Sequence, residues 1–245
     1  MDPKDKVALI TGGARIGRAV ATTLAGNGCA VAVTWRGSQT SAEETVAAVR
    51  ARGARGLAVR ADLADAGAAK SSVDAVRRDL GRLDILICMA SHYEKTEIGR
   101  LDDEAWRRNI ETDLHSVYRL ALAAAPIMQA QGAGRIVAFA DWLPASGRPR
   151  YKGYLPYYVA KAGVVGLVEA LALELAPAIL VNAVAPGPIL KPAGFTDEAE
   201  REVMRATPLG RWGGPDEIAR AVLFLIETEF ITGECLRVDG GRHLN

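Results

Sequence analysis

The chain has 245 residues, of which 49% are hydrophobic and 24% are charged, with 30 basic against 29 acidic side chains. A chain of this length and hydrophobic content can bury a complete core, which excludes an intrinsically disordered protein. The two signs of charge balance and no basic block occurs, so the sequence predicts no nucleic-acid or membrane partner.

The N-terminus and the cysteines indicate the compartment of the protein. The polar first residues run straight into an apolar strand-like segment, without the pattern of a signal peptide. Cys29, Cys88 and Cys235 are far apart and odd in number, so we expect buried thiols rather than disulfides or metal ligands. We therefore expect a cytoplasmic protein without a structural metal.

Short apolar runs alternate with longer amphipathic runs along the whole chain. The short runs predict strands at 7–11, 30–35, 56–61, 84–90, 135–139, 180–185 and 235–238. The longer runs predict helices near 16–26, 41–52, 66–80, 103–129, 157–175 and 215–227. Strands therefore alternate with helices, as in a parallel sheet.

Most of the predicted strands are continuously apolar, as expected for strands that are covered on both faces. Connections of helix length between them favour right-handed crossovers. We therefore predict an α/β fold: a doubly wound, Rossmann-type parallel sheet of about seven strands with helices on both faces, as a single domain over residues 1–245. Such a sheet binds ligands beyond the carboxyl ends of its strands. The proline-rich segment 186–214 has little periodicity, and we expect a loop that closes over a substrate.

A glycine-rich turn follows the first predicted strand. Residues 12–17 read Gly-Gly-Ala-Arg-Ile-Gly and lead into a predicted apolar helix. Glycines let a turning backbone approach a pyrophosphate, whose charge the free N–H groups of the next helix can bind. Gly12, Arg15, Ile16 and Gly17 are therefore candidate dinucleotide contacts, although an ordinary tight turn between a strand and a helix can have this composition.

The end of the second predicted strand indicates which dinucleotide binds. An acidic residue there would bind the ribose 2′-hydroxyl of NAD, but the strand ends Thr-Trp-Arg. Arg36 offers a cation for a 2′-phosphate, with Arg15 as a second one, so NADP(H) is the predicted cofactor. The alternative is that Arg36 is a solvated loop residue. Asp62, after the third strand, either accepts a hydrogen bond from the adenine amino group or caps the next helix.

Four motifs together resemble the short-chain dehydrogenase/reductase family over nearly the whole chain. The glycine turn is the first, and a Tyr-x-x-x-Lys pair formed by Tyr157 and Lys161 is the second. Residues 182–187 read Asn-Ala-Val-Ala-Pro-Gly, and Ile-Thr-Gly at 231–233 is followed by Val-Asp-Gly-Gly. A Tyr-x-x-x-Lys pair alone is common by chance, whereas four motifs in this order are not.

The resemblance implies an NADP(H)-dependent oxidoreductase that acts on a small molecule. Lys161 would hold the nicotinamide ribose, and Ala90, Pro186 and Gly187 would lie beside the cofactor. The resemblance also implies a homotetramer, because the family's equivalents of the helices at 103–129 and 157–175 pack subunit on subunit.

Tyr157 and Lys161 have a direct chemical rationale. Residues four apart on a helix share a face, so both side chains can point into one site. A free phenol titrates at about 10. A nearby ammonium and an oxidised nicotinamide ring would lower the pKa of Tyr157, which could then give a proton to the substrate as the cofactor delivers hydride. Tyr158 lies on another side of the helix and is predicted either to pack or to line the pocket wall.

The chain departs from the family pattern at several points. The glycine turn is one residue shorter than the usual Thr-Gly-x-x-x-Gly-x-Gly, and the usual Asn-Asn-Ala-Gly after the fourth strand reads Cys-Met-Ala-Ser. Asp141 occupies the place of the catalytic serine, six residues after Arg135. Asp113 occupies the place of the helix asparagine, seven residues after Trp106. Asp141 and Asp113 are therefore candidate catalytic residues.

An aspartate in the place of the serine changes which substrate the site suits. A serine hydroxyl can donate a hydrogen bond to a carbonyl oxygen, whereas an ionised aspartate only accepts. Pteridine reductases, a branch of the family, resemble this chain here: they too have the aspartate, an aromatic residue that stacks on the pterin and an arginine in the glycine turn. Asp141, Tyr93 beside Ser91, and Arg15 match these features. In the competing interpretation, Asp141 caps a turn or pairs with Arg148, and Tyr93 only packs.

Three hypotheses remain open at this point. The first is an NADPH-dependent reductase of a pteridine or similar N-heterocycle, with Tyr157 as proton donor and with Ser91, Tyr93, Asp141 and Tyr157 around the substrate. The second is a carbonyl reductase for a 3-oxoacyl or sugar substrate that works without the serine. The third is a non-catalytic NADP-binding regulator, which the shortened turn and the two aspartates would suit. Tyr157 and Lys161 remain in register, which favours an enzyme.

Overall fold

The computed structural model describes residues 1–12, 14–147, 152–192 and 194–245. Seven strands are present in these ranges: β1 (Val7–Thr11), β2 (Ala30–Trp35), β3 (Gly56–Arg60), β4 (Ile85–Cys88), β5 (Gly134–Phe139), β6 (Ile179–Pro186) and β7 (Cys235–Val238). They form one sheet in the order β3-β2-β1-β4-β5-β6-β7. Every neighbouring pair is parallel, with Val7 opposite Ala30 at the start of the central β1–β2 pair.

The helices connect successive strands. They are α1 (Ile16–Gly26), α2 (Gln39–Arg50), α3 (Ala68–Leu80), α4 (Asp103–Asn109), α5 (Ser116–Ala130), α6 (Trp142–Ala145), α7 (Leu155–Leu175), α8 (Asp197–Arg205) and α9 (Pro215–Glu227). A π-helical turn, Ile110–His115, joins α4 to α5. Short 3₁₀ turns occur at Ile98–Arg100 and Arg242–Leu244.

Successive residues of the central strands enter two apolar layers, one on each face of the sheet. Val7 and Leu9 of β1 pack in the layer formed with α3, α5 and α7, whereas Ala8 and Ile10 pack with α1, α2 and α9. Because both faces are covered, the strand is apolar at its first four positions, and its last residue is the buried Thr11. The predicted fold is thereby confirmed as a single α/β domain with seven parallel strands and helices on both faces.

Most predicted element bounds differ from the observed ones by no more than one or two residues. The predicted helix 103–129 is different, because the π turn divides it. A π turn holds an extra residue and shifts the helical phase. In the sequence, the helical spacing of Trp106, Ile110 and Leu114 predicts one core-facing side; Leu114 packs against the core, but Trp106 is 38% exposed. The prediction for Trp106 is therefore wrong.

The segment 186–214 contains α8, so the expectation of a continuous loop is wrong for residues 197–205. Thr196 caps this helix, since its side chain accepts a hydrogen bond from the Ala199 amide at 3.2 Å. Acidic residues fill the first turn, where they interact favourably with the helix dipole. The sequence Thr-Asp-Glu-Ala-Glu carried this N-terminal signal.

The cysteines are free thiols. Burial raises the pKa of the Cys29 and Cys88 thiols to about 12, so both stay protonated at neutral pH. Cys235 is only half-buried, against the edge of the core. Within the described ranges, no three His, Cys, Asp or Glu side chains are grouped to hold a metal ion. No helix in those ranges is both long and apolar enough to cross a bilayer.

Asp84, which precedes β4, ties that strand to β1. Its buried carboxylate accepts hydrogen bonds from the Val7 amide at 2.9 Å and from Arg82 at 2.6 and 2.7 Å. We expect Asp84→Ala to lower the free energy of unfolding by about 2–4 kcal/mol, because both donors lose their acceptor. Urea denaturation measures this. Arg82→Gln is the control and should cost less, because the Arg82 side chain is 42% exposed; a larger loss from Arg82→Gln would contradict the assignment.

Candidate active site

Three neighbouring cavities follow the carboxyl edge of the sheet. The Arg36 cavity, about 180 Å³, lies beside the end of β2. The Lys161 cavity, about 440 Å³, lies beyond β4 and β5. The Asp141 cavity, about 520 Å³, lies between the start of α7 and the segment that carries α8. Tyr157 lines both the Lys161 and the Asp141 cavities, so these two meet at its side chain.

The glycine turn has no room for side chains at its two described glycines. Gly12 has a φ of +70°, and a Cβ there would lie 2.7 Å from the Cα of Ala90. A Cβ on Gly17 would lie 2.9 Å from the Gly12 carbonyl oxygen. The shortened turn therefore still brings bare backbone close to Ile16, the first residue of α1, as binding of a pyrophosphate requires.

The Arg36 cavity has the donors that a phosphorylated ribose needs. It is lined by Arg36 together with Arg18 and the hydroxyl-bearing Ser38 and Ser41, three residues that the sequence analysis did not select. Their signal was their position in the first turns of the helices that follow β1 and β2. Arg15 lines the Lys161 cavity and not the Arg36 cavity, so its role as the second cation at the end of β2 stays a prediction.

Asp62 lies beside Arg36 but outside the lining of that cavity. The Asp62 carboxylate is 3.9 Å from the Arg36 guanidinium, and both side chains are more than half exposed. Asp62 also accepts a hydrogen bond from the Ala64 amide at 3.1 Å. The alternative that Asp62 caps the next helix is wrong, because α3 starts further along the chain, after Gly67.

Lys161 is buried at the centre of the Lys161 cavity, with 2% of its surface exposed. Its ammonium donates to the Phe139 carbonyl at 2.8 Å and forms an ion pair with Asp113 at 3.2 Å. Helix α7 approaches the π turn closely enough for this because Gly163 faces Leu114, whose Cδ2 would lie 2.8 Å from any Cβ there. The predicted Tyr157–Lys161 face of α7 is thus directed into the site.

Asp113 is fully buried and joins two parts of the site. Besides the ion pair with Lys161, its carboxylate accepts hydrogen bonds from the Ser91 hydroxyl, the His92 amide at 3.0 Å and the Asn109 amide group at 3.4 Å. The structure therefore places Asp113 beside Lys161, whereas Ser91 is bonded to Asp113 and lines the Lys161 cavity rather than the Asp141 cavity. The sequence analysis did not select Asn109, the last residue of α4, because its contact with Asp113 depends on the π turn that follows it.

Asp141 stands beside the hydroxyl of Tyr157. Its Oδ2 accepts a hydrogen bond from Tyr157 Oη at 3.0 Å, and its Oδ1 accepts from the Leu143 amide at 2.9 Å, capping α6. The capping interpretation is confirmed for one carboxylate oxygen, and the other contacts Tyr157, whereas the catalytic role of Asp141 stays a prediction. The suggested pairing with Arg148 concerns a residue outside the described ranges. Burial raises the pKa of Asp141, although these hydrogen bonds and Lys161 act against that rise.

The electrostatics around Tyr157 differ from the expectation. Burial raises the pKa of Tyr157 well above its usual value, and the carboxylates of Asp141 and Asp113 raise it further. The expected lowering by Lys161 is therefore wrong for the protein by itself. The physical reason is that Lys161, 5.8 Å from the centre of the Tyr157 ring, is paired with a buried carboxylate that opposes its field.

Aromatic rings form one wall of the Asp141 cavity. Tyr93 stacks on Tyr154 with ring centres 4.6 Å apart and meets the Tyr157 ring edge-on at 4.8 Å. Tyr158 also lines this cavity, as predicted for a pocket wall, and Trp142 joins it. Tyr154, which has no lysine four residues later and matches no motif, occupies one face of the predicted stacking residue Tyr93.

The predicted cofactor residues at the end of β6 lie where the cavities meet. Pro186 lines the Lys161 and Asp141 cavities, and Gly187 lines the Asp141 cavity. The Gly187 amide donates to the Val238 carbonyl at 3.0 Å, and a Cβ on Gly187 would lie 2.5 Å from the side chain of Asp239. The predicted site residues after β1, β4, β5 and β6 are thus brought together along one edge.

Comparisons with known proteins agree with this geometry. The family model described as "Enoyl-(Acyl carrier protein) reductase" matches residues 13–243. The 3-oxoacyl-[acyl-carrier-protein] reductases FabG of Staphylococcus aureus and Escherichia coli are each 36% identical to the chain, over 98% and 100% of both proteins respectively. The chain belongs to the short-chain dehydrogenase/reductase family.

Solved structures support the same assignment. A putative short-chain alcohol dehydrogenase from Sinorhizobium meliloti has a TM-score of 0.92 at 32% identity, covering 99% of this chain and 98% of that one. An NADPH-dependent 3-quinuclidinone reductase from Rhodotorula rubra has a TM-score of 0.90 at 30% identity, covering 100% and 93%. As a short-chain dehydrogenase/reductase, the protein is an oxidoreductase. The two relatives named above carry the activity of the carbonyl-reductase alternative, not that of the pteridine branch.

The contact between Asp141 and Tyr157 gives a test that needs no substrate. We expect Asp141→Asn to lower the pKa of Tyr157 relative to the unaltered protein, because it removes a negative charge that disfavours the phenolate. Phenolate absorbance during an alkaline titration measures the change, and the Asp141→Asn/Tyr157→Phe double variant identifies the signal of Tyr157. An unchanged titration would show that Asp141 does not act on this phenol.

Proposed function

We propose that this protein is an NADPH-dependent reductase of a pteridine or a similar N-heterocycle. The observation that carries this proposal is the Asp141 carboxylate, which takes the place of a hydroxyl donor and lies 3.0 Å from Tyr157 Oη. With Asp113 also present, the site contains two carboxylates and one ammonium. Such a site favours a substrate that offers N–H donors over one that offers only a carbonyl oxygen.

The cofactor is NADP(H), and the residues present fit it. Bare backbone at Gly12 and Gly17 and the start of α1 would hold the pyrophosphate, and Arg36 with Ser38 and Ser41 would hold the 2′-phosphate. Lys161 would hold the nicotinamide ribose beside Ala90, Pro186 and Gly187. When bound, NADPH supplies the hydride that reduces the carbon–nitrogen double bond of the substrate.

Tyr157 supplies the proton. Before the substrate binds, its hydroxyl donates to Asp141. A substrate N–H that donates to Asp141 replaces this bond and frees the Tyr157 proton for transfer to the ring nitrogen that is being reduced. The phenolate left behind lies within the field of the Lys161 ammonium and recovers its proton from solvent. Substrate binding thus both orients the ring and releases the proton donor.

A 3-oxoacyl or other carbonyl substrate is the second candidate, favoured by the names of the relatives. Burial raises the pKa of Asp141, and only the protonated acid could donate a hydrogen bond to a carbonyl oxygen. The non-catalytic regulator is set aside, since the protein is an oxidoreductase by family.

We also propose that the protein forms a homotetramer. Helix α5 exposes Tyr118 and Leu122, and α7 exposes Val159 and Leu173, apolar surface that partner subunits would cover. Light scattering of the purified protein tests this by giving the mass in solution, and a monomer would contradict it.

The substrate test is NADPH oxidation with 7,8-dihydrobiopterin, 7,8-dihydrofolate, acetoacetyl thioester and simple ketones. We expect turnover of the pteridines only. Tyr157→Phe should lower kcat by about a hundredfold or more, because the proton donor is lost. Tyr158→Phe, the adjacent tyrosine of the same cavity, is the matched control and should retain most activity.

Asp141→Ser separates the two candidate substrates. It should abolish pteridine turnover and allow carbonyl turnover, because a hydroxyl donor replaces an acceptor. Pteridine turnover that survives Asp141→Ser would contradict the assigned role of the carboxylate. Ketone turnover by the unaltered protein, with no pteridine turnover, would replace the first candidate by the second.

Arg36 tests the cofactor assignment separately. We expect Arg36→Gln to raise the KM for NADPH about tenfold or more while the KM for NADH changes little, because only NADPH has the 2′-phosphate. Arg60→Gln is a nearby control, since Arg60 lies over the Trp35 ring and does not line the Arg36 cavity. An equal rise of the KM values for NADPH and NADH would show that Arg36 does not bind the 2′-phosphate.

A further inference from the structure

Arg242 lines the Asp141 cavity but was not selected by any motif. It opens the 3₁₀ turn Arg242–Leu244, which Asp239 fixes by accepting hydrogen bonds from the Gly241 amide at 2.9 Å and the His243 amide at 3.0 Å. Asp239 is itself buried. Arg242 is therefore presented to the cavity from a backbone that is held in place.

The guanidinium of Arg242 is placed among other lining residues of the cavity. It donates to the Val203 carbonyl at 2.9 Å, and its Cζ lies 5.8 Å from the centre of the Trp142 ring. Trp142 directly follows Asp141 in the chain. The cation and the Asp141 carboxylate thus belong to two parts of one cavity wall.

The charge of Arg242 has no carboxylate partner among the residues that the structure describes. Lys191 and Arg211, by contrast, form ion pairs with Glu200 and Glu217 respectively. Arg242 is also the only cation in the described lining of the Asp141 cavity, where Glu202 is a second, exposed carboxylate. A guanidinium has five donors in a planar fork, and one Arg242 bond to protein leaves most of them for a ligand.

We propose that Arg242 binds a carboxylate or phosphate group of the substrate. This inference rests on the proposed reductase site and extends it: the substrate carries N–H donors at the end that meets Asp141 and an anionic group at the end that meets Arg242. The centre of the Trp142 ring lies 5.8 Å from the guanidinium carbon, within the range of a cation–π contact, and a guanidinium can bind two oxygens of one anionic group through two parallel N–H groups.

Two ligands that share a ring test this proposal. Dihydrofolate has carboxylates in its side chain, and dihydrobiopterin has an uncharged one. We expect Arg242→Gln to raise the ratio of KM for dihydrofolate to KM for dihydrobiopterin by about tenfold or more, with kcat changed less than about threefold, and Arg242→Lys to raise it less. Glu202→Gln should lower the same ratio, because it removes a repelling charge from the cavity.

Arg237→Gln is the matched control, because Arg237 lies in β7, just before the turn that carries Arg242, donates to the Ala145 carbonyl and does not line the Asp141 cavity. It should leave the KM ratio unchanged. Equal effects of Arg242→Gln on both ligands would indicate a structural role, and no effect on either would show that Arg242 does not contact the substrate. Both results overturn the proposal.

A binding measurement keeps the test separate from the proposed function. Calorimetric titration of folate and of biopterin into the protein with NADP⁺ requires no turnover. If neither pteridine binds, the pteridine proposal fails, and Arg242 is tested with acetoacetate against its ethyl ester. Tighter binding of the anion than of the ester, lost in Arg242→Gln, supports the anion subsite for either substrate class. Equal affinity of the unaltered protein for the anion and the ester overturns it.

Discussion

Lys161 of α7 and Asp113 of the π turn form an ion pair, 3.2 Å apart and closed to solvent, at the junction between the cofactor and the substrate. Burying two charges is costly, and their attraction offsets that cost only when further hydrogen bonds satisfy both groups. Here the Phe139 carbonyl satisfies the ammonium, while the Ser91 hydroxyl and a backbone amide satisfy the carboxylate. Because the pair uses partners from β5 and from the segment after β4, it sets the position of the lysine and of the Tyr93 wall together.

The same ion pair explains why the pKa of the proton donor, Tyr157, is raised and not lowered as expected. Lys161 alone would favour the phenolate of Tyr157, but Asp113 cancels much of its field and Asp141 adds a second negative charge. The phenol is therefore protonated at neutral pH, although its raised pKa also makes it a weaker acid. In reduction the group must start protonated, whereas in oxidation it must start as the phenolate, so the resting state of Tyr157 suits reduction.

The sequence predicted the sheet, the order of its elements and most of the site, because these depend on hydrophobic periodicity and on glycines forced by close backbone contact. Tyr157 and Lys161 were selected because they match the Tyr-x-x-x-Lys pair of the family, and a separation of four residues places both side chains on one face of a helix. The failures share another cause. The side of the helix on which Trp106 lies and the role of Asn109 depend on the π turn. The pKa of Tyr157 depends on charges from distant segments. Arg242 was missed because its place in the cavity is set by the turn after β7, which no local pattern reveals.

Membership in the family and choice of substrate rest on different parts of this molecule. The family scaffold is carried by the glycine turn, the Tyr157–Lys161 pair and the parallel sheet, and the chain is 36% identical to two 3-oxoacyl reductases over nearly its whole length. The wall of the Asp141 cavity has changed its chemistry: a carboxylate stands where a hydroxyl donor belongs, and a guanidinium faces the same space. A site is defined by such groups rather than by its fold. A simple ketone offers no hydrogen-bond donor to Asp141 and no anionic group to Arg242. Neither group would then gain a substrate contact in return for the water that it loses. A substrate with N–H donors and an anionic group satisfies both, so the cavity itself argues for a substrate different from those of its named relatives.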